Sequence, residues 1–434
     1  TVYGPEFQIF TPPYMVGYLN GMSSLIQSGV SYKCDYGKGL GIYTSLPEDG
    51  TFRMVCPQGG LTYPGAATPN ATVDEIDVLL TGGRMTPVAK DVVRRAYQEA
   101  PPGQELERAQ QAAIMTAEFN TLGAPLPFPG VRPPPPDDHG IGKKAYKAFI
   151  VMFLAGGADT WNMVVPQECD LYQEYRSIRT DLTLNTNEMI PITTTGQTCS
   201  KFGLHASFPF LKSLYDSGDA AFVSNVGNLV EPTTKATFRT GAVRCFNLFS
   251  HSDQQRGAQT LKCQDMGTAA KGTGGRIADA LGASNYQTTS FSLSGSAIWP
   301  SGFQTKREIV GEQGSKGFKE YEQWMGAIGN ITAQRHGNVY SEAYADAFLN
   351  SIALTQKLGS FMQDAKLATN YQQSSSLDRQ LYNVAKLIAS REGRMAERDF
   401  FFISIGGWDM HDDMKDRLNS KLSEVDSALS GFVA

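Results

Sequence analysis

The sequence predicts an α/β fold, with a mainly parallel sheet covered by helices and a small, mostly helical N-terminal segment before it. Continuous apolar runs at 148–155, 220–225 and 400–405 alternate with helix-like segments. Strands buried on both faces of a parallel sheet show such runs. Glycines and polar residues follow several of the runs, and a Pro-rich stretch separates them from an earlier part with apolar residues at helical spacing.

The chain is expected to divide at residues 124–143, because the sequence APLPFPGVRPPPPDD there contains four consecutive prolines. Such a run favours polyproline II and cannot continue a helix or a strand ladder, so we expect a semi-rigid spacer. Residues 1–123 are predicted to be helical, and 144–434 to form the α/β domain. The predicted helices of the first part lie at about 73–80, 87–100 and 104–120.

Polar side chains collect just after the strands predicted for 144–434. These strands are 148–155, 220–225, 290–295 and 400–405, and the helices between them are 208–217, 275–281 and about 340–395. The polar residues that follow the strands are Asp159, Asn162, Asn225, Ser294, Asp409 and His411. In open α/β sheets, ligands bind beyond the carboxyl ends of the strands. The sequence therefore predicts a functional site at this edge of the sheet.

Charge and hydropathy exclude two classes of partner. The net charge is -5 and the basic residues are scattered, which argues against binding to nucleic acid. The longest apolar run, 148–155, is too short to span a bilayer, so we expect a buried strand and no membrane span. Because the first residue is Thr1 and not methionine, we expect the chain to begin inside a longer precursor.

The cysteines and sequons favour an extracellular, secreted protein. The six cysteines fall into three neighbouring pairs without the Cys-x-x-Cys spacing of zinc or redox sites: Cys34 with Cys56, Cys169 with Cys199, and Cys245 with Cys263. An even number of free buried thiols, as in cytosolic proteins, is the alternative. Asn70 and Asn330 begin Asn-x-Thr sequons and are predicted glycosylation sites.

The stretch FFISIGGWDMH at 401–411 places Asp409 and His411 two positions apart beyond a predicted strand. In an extended segment both side chains point to the same side. Carboxylate and imidazole together suit zinc, manganese or iron, whereas magnesium or calcium is favoured if oxygen ligands dominate. The alternative is that Asp409 caps the next helix and His411 is a surface residue.

Asp159 follows the glycine pair Gly156-Gly157, which lets the backbone bend sharply where a ligand can approach. The alternative is that Asp159 caps the following turn and that Asn162 hydrogen-bonds the same loop. In GTGGR, at 272–276, a helix start could cradle an anion with Arg276 beside it, although tight packing explains the glycines equally well.

The sequence LFSHSDQQR at 248–256 contains a possible nucleophile and base, Ser250 or Ser252 with His251. Adjacent side chains rarely meet in hydrogen-bonding geometry, and catalytic triads are normally assembled from distant segments. A well-bonded loop leading into a helix is therefore the alternative.

Several of these stretches together resemble one family, the domain-of-unknown-function 1501 proteins, relatives of alkaline phosphatases and sulfatases. The matching stretches, in the family's order, are FIVMFLAGGADTWNMVVP, FGLHASFPFLKSLYDSGDAAFVSNVGNL, LFSHSDQQ, GTGGRIADAL and FFISIGGWDMHDDM. The resemblance implies an alkaline-phosphatase-like fold for 144–434.

The same resemblance implies a site that holds a divalent metal, zinc, calcium or magnesium. Asp159, Asp409 and His411 would be metal ligands, and Ser252 or Ser250 the nucleophile with His251 beside it. Asn162 and Arg276 would bind the substrate.

Residues 1–120 resemble the C-terminal end of a second family, domain of unknown function 1800, on stretches such as VDEIDVLLTGGRMTPVAKDVVRRAY. The first segment would then be the end of a larger helical domain. Members of the first family continue beyond the GGWDMH motif into an Asp-His-x-Trp-Gly-Gly segment that this sequence lacks. We therefore expect the site to need sequence beyond Ala434 or a second chain, so the expected partners are the rest of the precursor or further copies.

Two functions follow from these observations. The first is a secreted, metal-dependent hydrolase that acts on phosphate or sulfate esters, with a polysaccharide as one possible substrate. The second is a non-catalytic extracellular structural protein that uses a degenerate hydrolase fold within an assembly.

Overall fold

The structure is a computed structural model that describes residues 11–28, 42–45, 52–55, 68–124, 126–135, 144–263, 271–314 and 317–433. In this part of the chain the helices are α1 (Pro12–Ser28), α2 (Pro69–Ile76), α3 (Pro87–Gln98), α4 (Glu105–Ile114), α5 (Ala117–Asn120), α6 (Asp170–Arg179), α7 (Pro209–Asp216), α8 (Lys235–Thr240), α9 (His251–Thr260), α10 (Thr273–Ala283), α11 (Tyr321–Ala333), α12 (Val339–Asp364), α13 (Ser376–Ala389) and α14 (Met414–Val433). The strands are β1 (Ile42–Ser45), β2 (Phe52–Val55), β3 (Pro127–Val131), β4 (Lys147–Leu154), β5 (Val164–Gln167), β6 (Met189–Thr193), β7 (Lys201–His205), β8 (Thr288–Ser292), β9 (Arg307–Ile309), β10 (Gln334–His336) and β11 (Arg398–Ile405).

The described residues fall into two compact units. One lies within Thr1–Asp138 and Ser315–Ser360, and the other within His139–Gly314 and Phe361–Ala434. The first unit has its own apolar core, in which Leu19 and Val93 share a cluster with Trp324 and Phe348. The prediction placed everything after residue 143 in one domain. The structure differs because the apolar faces of α11 and α12 are buried with the N-terminal helices.

The helices of the first unit begin and end at capping residues. Thr86 Oγ1 accepts a hydrogen bond from the Ala89 amide at the start of α3, which was predicted to begin at residue 87. The cap of α2 is Thr68, whose side chain accepts a hydrogen bond from the Ala71 amide. The predicted third helix is split into α4 and α5, because the Thr116 side chain accepts a hydrogen bond from the Phe119 amide and begins a new helix.

Strands also occur in the first unit. Within the segment 1–123, predicted to be mostly helical, β1 and β2 form an antiparallel pair. The Pro-rich stretch is not a spacer along its whole length, because β3 pairs with β10. Its prolines leave enough backbone groups free for this short, irregular edge pairing.

The second unit contains a parallel sheet with the strand order β4-β11-β8-β9, so the predicted mainly parallel sheet with helices is confirmed. Ile405 is in register with Leu154, and the carboxyl ends of β11 and β4 therefore meet at one edge. Phe400 and Phe402 of β11 pack with Ala278 of α10 on one face. Helix α13 also packs against β11.

Two strand predictions need correction. Residues 220–225 form no strand; Asn225 has φ 58°, which breaks an extended run. The segment 148–155, expected to be buried, is β4 at the end of the strand order, with Phe149 54% exposed.

A second sheet, which the sequence analysis did not predict, is antiparallel with the order β5-β7-β6. It brings His205, the last residue of β7, opposite Met189 of β6. The predicted long helical region at about 340–395 is two helices, α12 and α13.

Disulfides join Cys169 to Cys199 and Cys245 to Cys263, as predicted. The predicted pair of Cys34 and Cys56 lies outside the described residues. No helix in the described ranges has the length and apolar character needed to cross a membrane.

Candidate active site

Asp409 is held at the carboxyl edge of the parallel sheet by close approach of its backbone to two glycines. A Cβ at Gly156, whose φ is 125°, would lie 2.8 Å from the Asp409 amide nitrogen. A Cβ at Gly157 would lie 3.2 Å from Asp409 Oδ1. The glycine pair after β4 therefore makes room for the turn that follows β11. The sequence predicted that a ligand, and not this turn, would approach the two glycines.

His251 is the first residue of α9. A helix cap and a disulfide fix the position of the short segment that contains it. Ser250 caps the helix, with its side chain accepting from the Asp253 amide at 3.4 Å. The disulfide between Cys245 and Cys263 closes the segment that contains the whole helix.

Two histidines meet the same oxygen of Asp409. His251 Nε2 lies 3.1 Å and His411 Nε2 lies 2.9 Å from Asp409 Oδ2. A carboxylate oxygen only accepts hydrogen bonds, so in this arrangement each Nε2 carries a hydrogen. In the neutral tautomer, each Nδ1 then keeps the lone pair that can accept a proton. We call these three residues the Asp409 cluster.

The electrostatics of the Asp409 cluster favour an ionised carboxylate. The hydrogen bond from His411 holds the pKa of Asp409 below its usual value, and the charge of His251 acts in the same direction. The cluster is open to solvent, with 44% of the Asp409 side chain and 54% of the His251 side chain exposed. Both histidines are thus accessible to a dissolved substrate.

A cleft of about 480 Å³ lies beside the cluster. Its volume is within the range of about 300–1,000 Å³ that is usual for small-molecule sites. Polar groups of Ser250, His251 and Gln254 line one part of it, and the apolar side chains of Phe153 and Phe249 line another. The cleft therefore offers both polar groups, at the helix start, and apolar side chains.

Asp159 binds a partner that the sequence analysis missed. Its Oδ2 forms an ion pair with Arg179, the last residue of α6. Burial nevertheless raises the pKa of Asp159, because desolvation outweighs the effect of the arginine. No motif links a carboxylate after a strand to an arginine twenty residues later, so only the fold reveals this pair.

The other predicted substrate ligands are engaged with protein groups. Asn162 is fully buried, donating to the Leu182 carbonyl at 2.9 Å and accepting from the Tyr175 hydroxyl at 2.8 Å. Arg276 donates to the carbonyl of Thr260. These contacts support structural roles for both side chains, and substrate binding by either one stays a prediction.

The two serines near His251 bond each other, with 3.0 Å between the Ser250 and Ser252 hydroxyl oxygens. A nucleophilic role for either serine stays a prediction. Asn70 and Asn330 are exposed on α2 and α11, and their glycosylation also stays a prediction.

The predicted metal ligands do not form a cage in this structure. Among the described residues, no group of three or more His, Cys, Asp or Glu side chains is arranged to hold a metal ion. Asp409 and His411 come together as predicted, but they hydrogen-bond each other. Asp159 is paired with Arg179.

The fold and the Asp409 cluster define an α/β protein with a carboxylate–histidine site at the carboxyl edge of a parallel sheet. Residues 146–434 match the family described as "Protein of unknown function (DUF1501)". Because this match covers most of the chain, the protein belongs to that family. No curated protein and no solved structure matches the chain. The resemblance of residues 1–120 to a second family stays a prediction.

Proposed function

We propose that the protein is a secreted ester hydrolase of the alkaline phosphatase and sulfatase type, acting on phosphate or sulfate esters at the Asp409 cluster. The observation that carries the proposal is the position of Asp409 Oδ2 between His411 Nε2 and the Nε2 of His251, which itself lines the cleft. The two disulfides fit an oxidising compartment.

The cleft suits an anionic group. It lies at the N-terminus of α9, where backbone N–H groups and the helix dipole favour negative charge. The imidazole of His251 is at the same place and can donate to an ester oxygen when it is protonated. The apolar wall of Phe153 and Phe249 can accept the organic part of the ester.

The chemistry assigned to the cluster is proton transfer. His251 Nδ1 has no hydrogen-bond partner in the described residues and can take a proton from an attacking water. Asp409 then stabilises the imidazolium through Nε2. The exposed His411, in its protonated form, is placed to donate a proton to the leaving oxygen while the water oxygen bonds to phosphorus or sulfur and the ester bond breaks. As arranged, these residues do not fit a metal ion, and no step of the proposal passes through one.

The test uses the full chain with aryl phosphate and aryl sulfate, each with and without added zinc, magnesium or calcium. Asp409→Asn and His251→Asn are expected to lower kcat by about 10²- to 10⁴-fold, the usual contribution of general acid–base catalysis. Asp412→Asn is the matched control, since Asp412 is an exposed neighbour that pairs with Arg417.

Absence of turnover of both esters by the wild-type protein under all four metal conditions would contradict the proposal. Equal activity of the Asp409→Asn and Asp412→Asn variants would move the reaction away from the cluster. Turnover only with added metal would show that the cluster rearranges to bind an ion.

A non-catalytic assembly role is the second candidate, and one observation favours it. The segment after α7 carries exposed apolar side chains, with Val223 81%, Val226 79% and Leu229 62% exposed. Surfaces of this kind often mark protein contacts. Self-association of the inactive Asp409→Asn variant, measured by light scattering and abolished by Val223→Ser with Val226→Ser, would support this role; a monomer at all concentrations would contradict it.

A further inference from the structure

A second cavity of about 220 Å³ lies in the α/β unit, apart from the cleft at the Asp409 cluster. It is bounded by the turn before β6, the end of β7 and the first turns of α14. Its charged and polar lining includes Glu188, His205, Lys415 and Asn419, and Leu184 and Leu418 provide apolar surface. None of these six residues takes part in the chemistry proposed above.

His205 presents a hydrogen-bond donor to this cavity. The residue is only 3% exposed, and its Nδ1 accepts a hydrogen bond from the Ser207 amide at 3.2 Å. Burial lowers the pKa of His205, so the ring is neutral near pH 7 and its hydrogen is on Nε2. Among the described residues no group accepts that hydrogen. Because His205 lines the cavity, a ligand there could accept this hydrogen.

Two side chains of opposite charge, Glu188 and Lys415, line the cavity without forming an ion pair. Hydrogen bonds from Asn185 hold the pKa of Glu188 below its usual value, so this carboxylate is ionised. Lys415 donates to the Thr183 carbonyl at 2.9 Å and keeps two further hydrogens for a ligand. Within the described residues the two charges form no ion pair with each other, although both line the same cavity.

We infer that this cavity binds a small zwitterion of the size of a free α-amino acid. The ligand carboxylate would accept hydrogen bonds from Lys415 Nζ and His205 Nε2, and the ligand ammonium would donate to Glu188. The volume equals that of about seven waters at roughly 30 Å³ each, enough for an amino acid of moderate size. Leu184 and Leu418 favour an aliphatic side chain.

The test is titration calorimetry on the full chain with L-valine, and with two analogues that each lack one charge. N-Acetyl-L-valine has no ammonium, and L-valinamide has no carboxylate. L-Valine is expected to bind at least 10-fold more tightly than either analogue. Absence of heat with L-valine up to about 10 mM, or equal binding of the analogues, would overturn the inference.

Lys415→Met is expected to weaken L-valine binding by at least 10-fold. Lys421→Met is the matched control, because Lys421 lies on the same helix and pairs with Glu424 outside the cavity. Equal affinity in the two variants would also overturn the inference. Amide NMR spectra report whether each variant is folded, so a loss of binding is not confused with unfolding.

Discussion

Asp409 Oδ2 lies 3.1 Å from His251 Nε2, although the two residues come from distant segments of the chain. The contact joins the turn after β11 to the first residue of α9. Its geometry depends on Gly156 and Gly157, which pack closely against Asp409, and on the disulfide that closes the segment around α9. Each of these supports can be tested separately.

Gly156→Ala is expected to displace Asp409 and to lower stability by about 2 kcal/mol, since a side chain at positive φ is strained. Its Cβ would also collide with the Asp409 amide nitrogen at 2.8 Å. Ester hydrolysis and thermal denaturation measure the two effects. Gly295→Ala is the control, because Gly295 has φ 65° but open space around it, so it should lose stability without losing activity.

Replacing Cys245 and Cys263 together by alanine is expected to cost about 3 kcal/mol and to lower activity, because the open segment no longer fixes His251. The double replacement of Cys169 and Cys199 should cost a similar free energy and leave the site in place. Urea denaturation and hydrolysis rates separate the two cases. Equal loss of activity in both variants would show that the effect is general destabilisation.

His411→Asn is expected to raise the carboxyl pKa of Asp409, because the hydrogen bond from His411 is the largest cause of its lowered value. A lowered pKa means that this stabilisation is present above the unfolded value of 3.8 and is lost as pH falls below it. Carbon-13 NMR of the carboxyl group measures the shift. An unchanged Asp409 titration would show that the two side chains do not interact in solution.

Glu308→Gln is expected to stabilise the protein above pH 7. Although Glu308 is partly exposed in β9, protein surrounds its carboxyl, and burial raises the pKa to about 7. The folded state then binds the proton more tightly than the unfolded state, whose value is 4.5. The contribution of Glu308 to stability is therefore highest below pH 4.5, falls between 4.5 and 7, and stays lower above 7, by on the order of 3 kcal/mol.

Denaturant midpoints at pH 4 and pH 8 measure this effect. The gain from Glu308→Gln should appear at pH 8 and vanish at pH 4. Glu312→Gln is the control of opposite sign, because hydrogen bonds from Ser376 and Arg379 lower the pKa of Glu312. That variant should lose stability at pH 8, and a gain there would contradict the assignment.

Local patterns in the sequence predicted much of the second unit. The run FFISI forms the end of β11, and α3 begins at Pro87, where the predicted helix begins. The apolar run at 220–225 failed as a strand, since a strand also needs a neighbour to satisfy its backbone groups. The sheet formed by β5, β7 and β6 was missed because its strands are short and carry weak alternation.

The sequence by itself determined the parallel sheet, the cysteine pairs at 169–199 and 245–263, and the closeness of Asp409 to His411, which are only two residues apart. The tertiary structure decided that His251 shares the same carboxylate oxygen and that Arg179 pairs with Asp159. The physical reason is that local patterns depend on neighbours along the chain. Contacts between distant side chains depend on where whole strands and helices end, and no single segment encodes that.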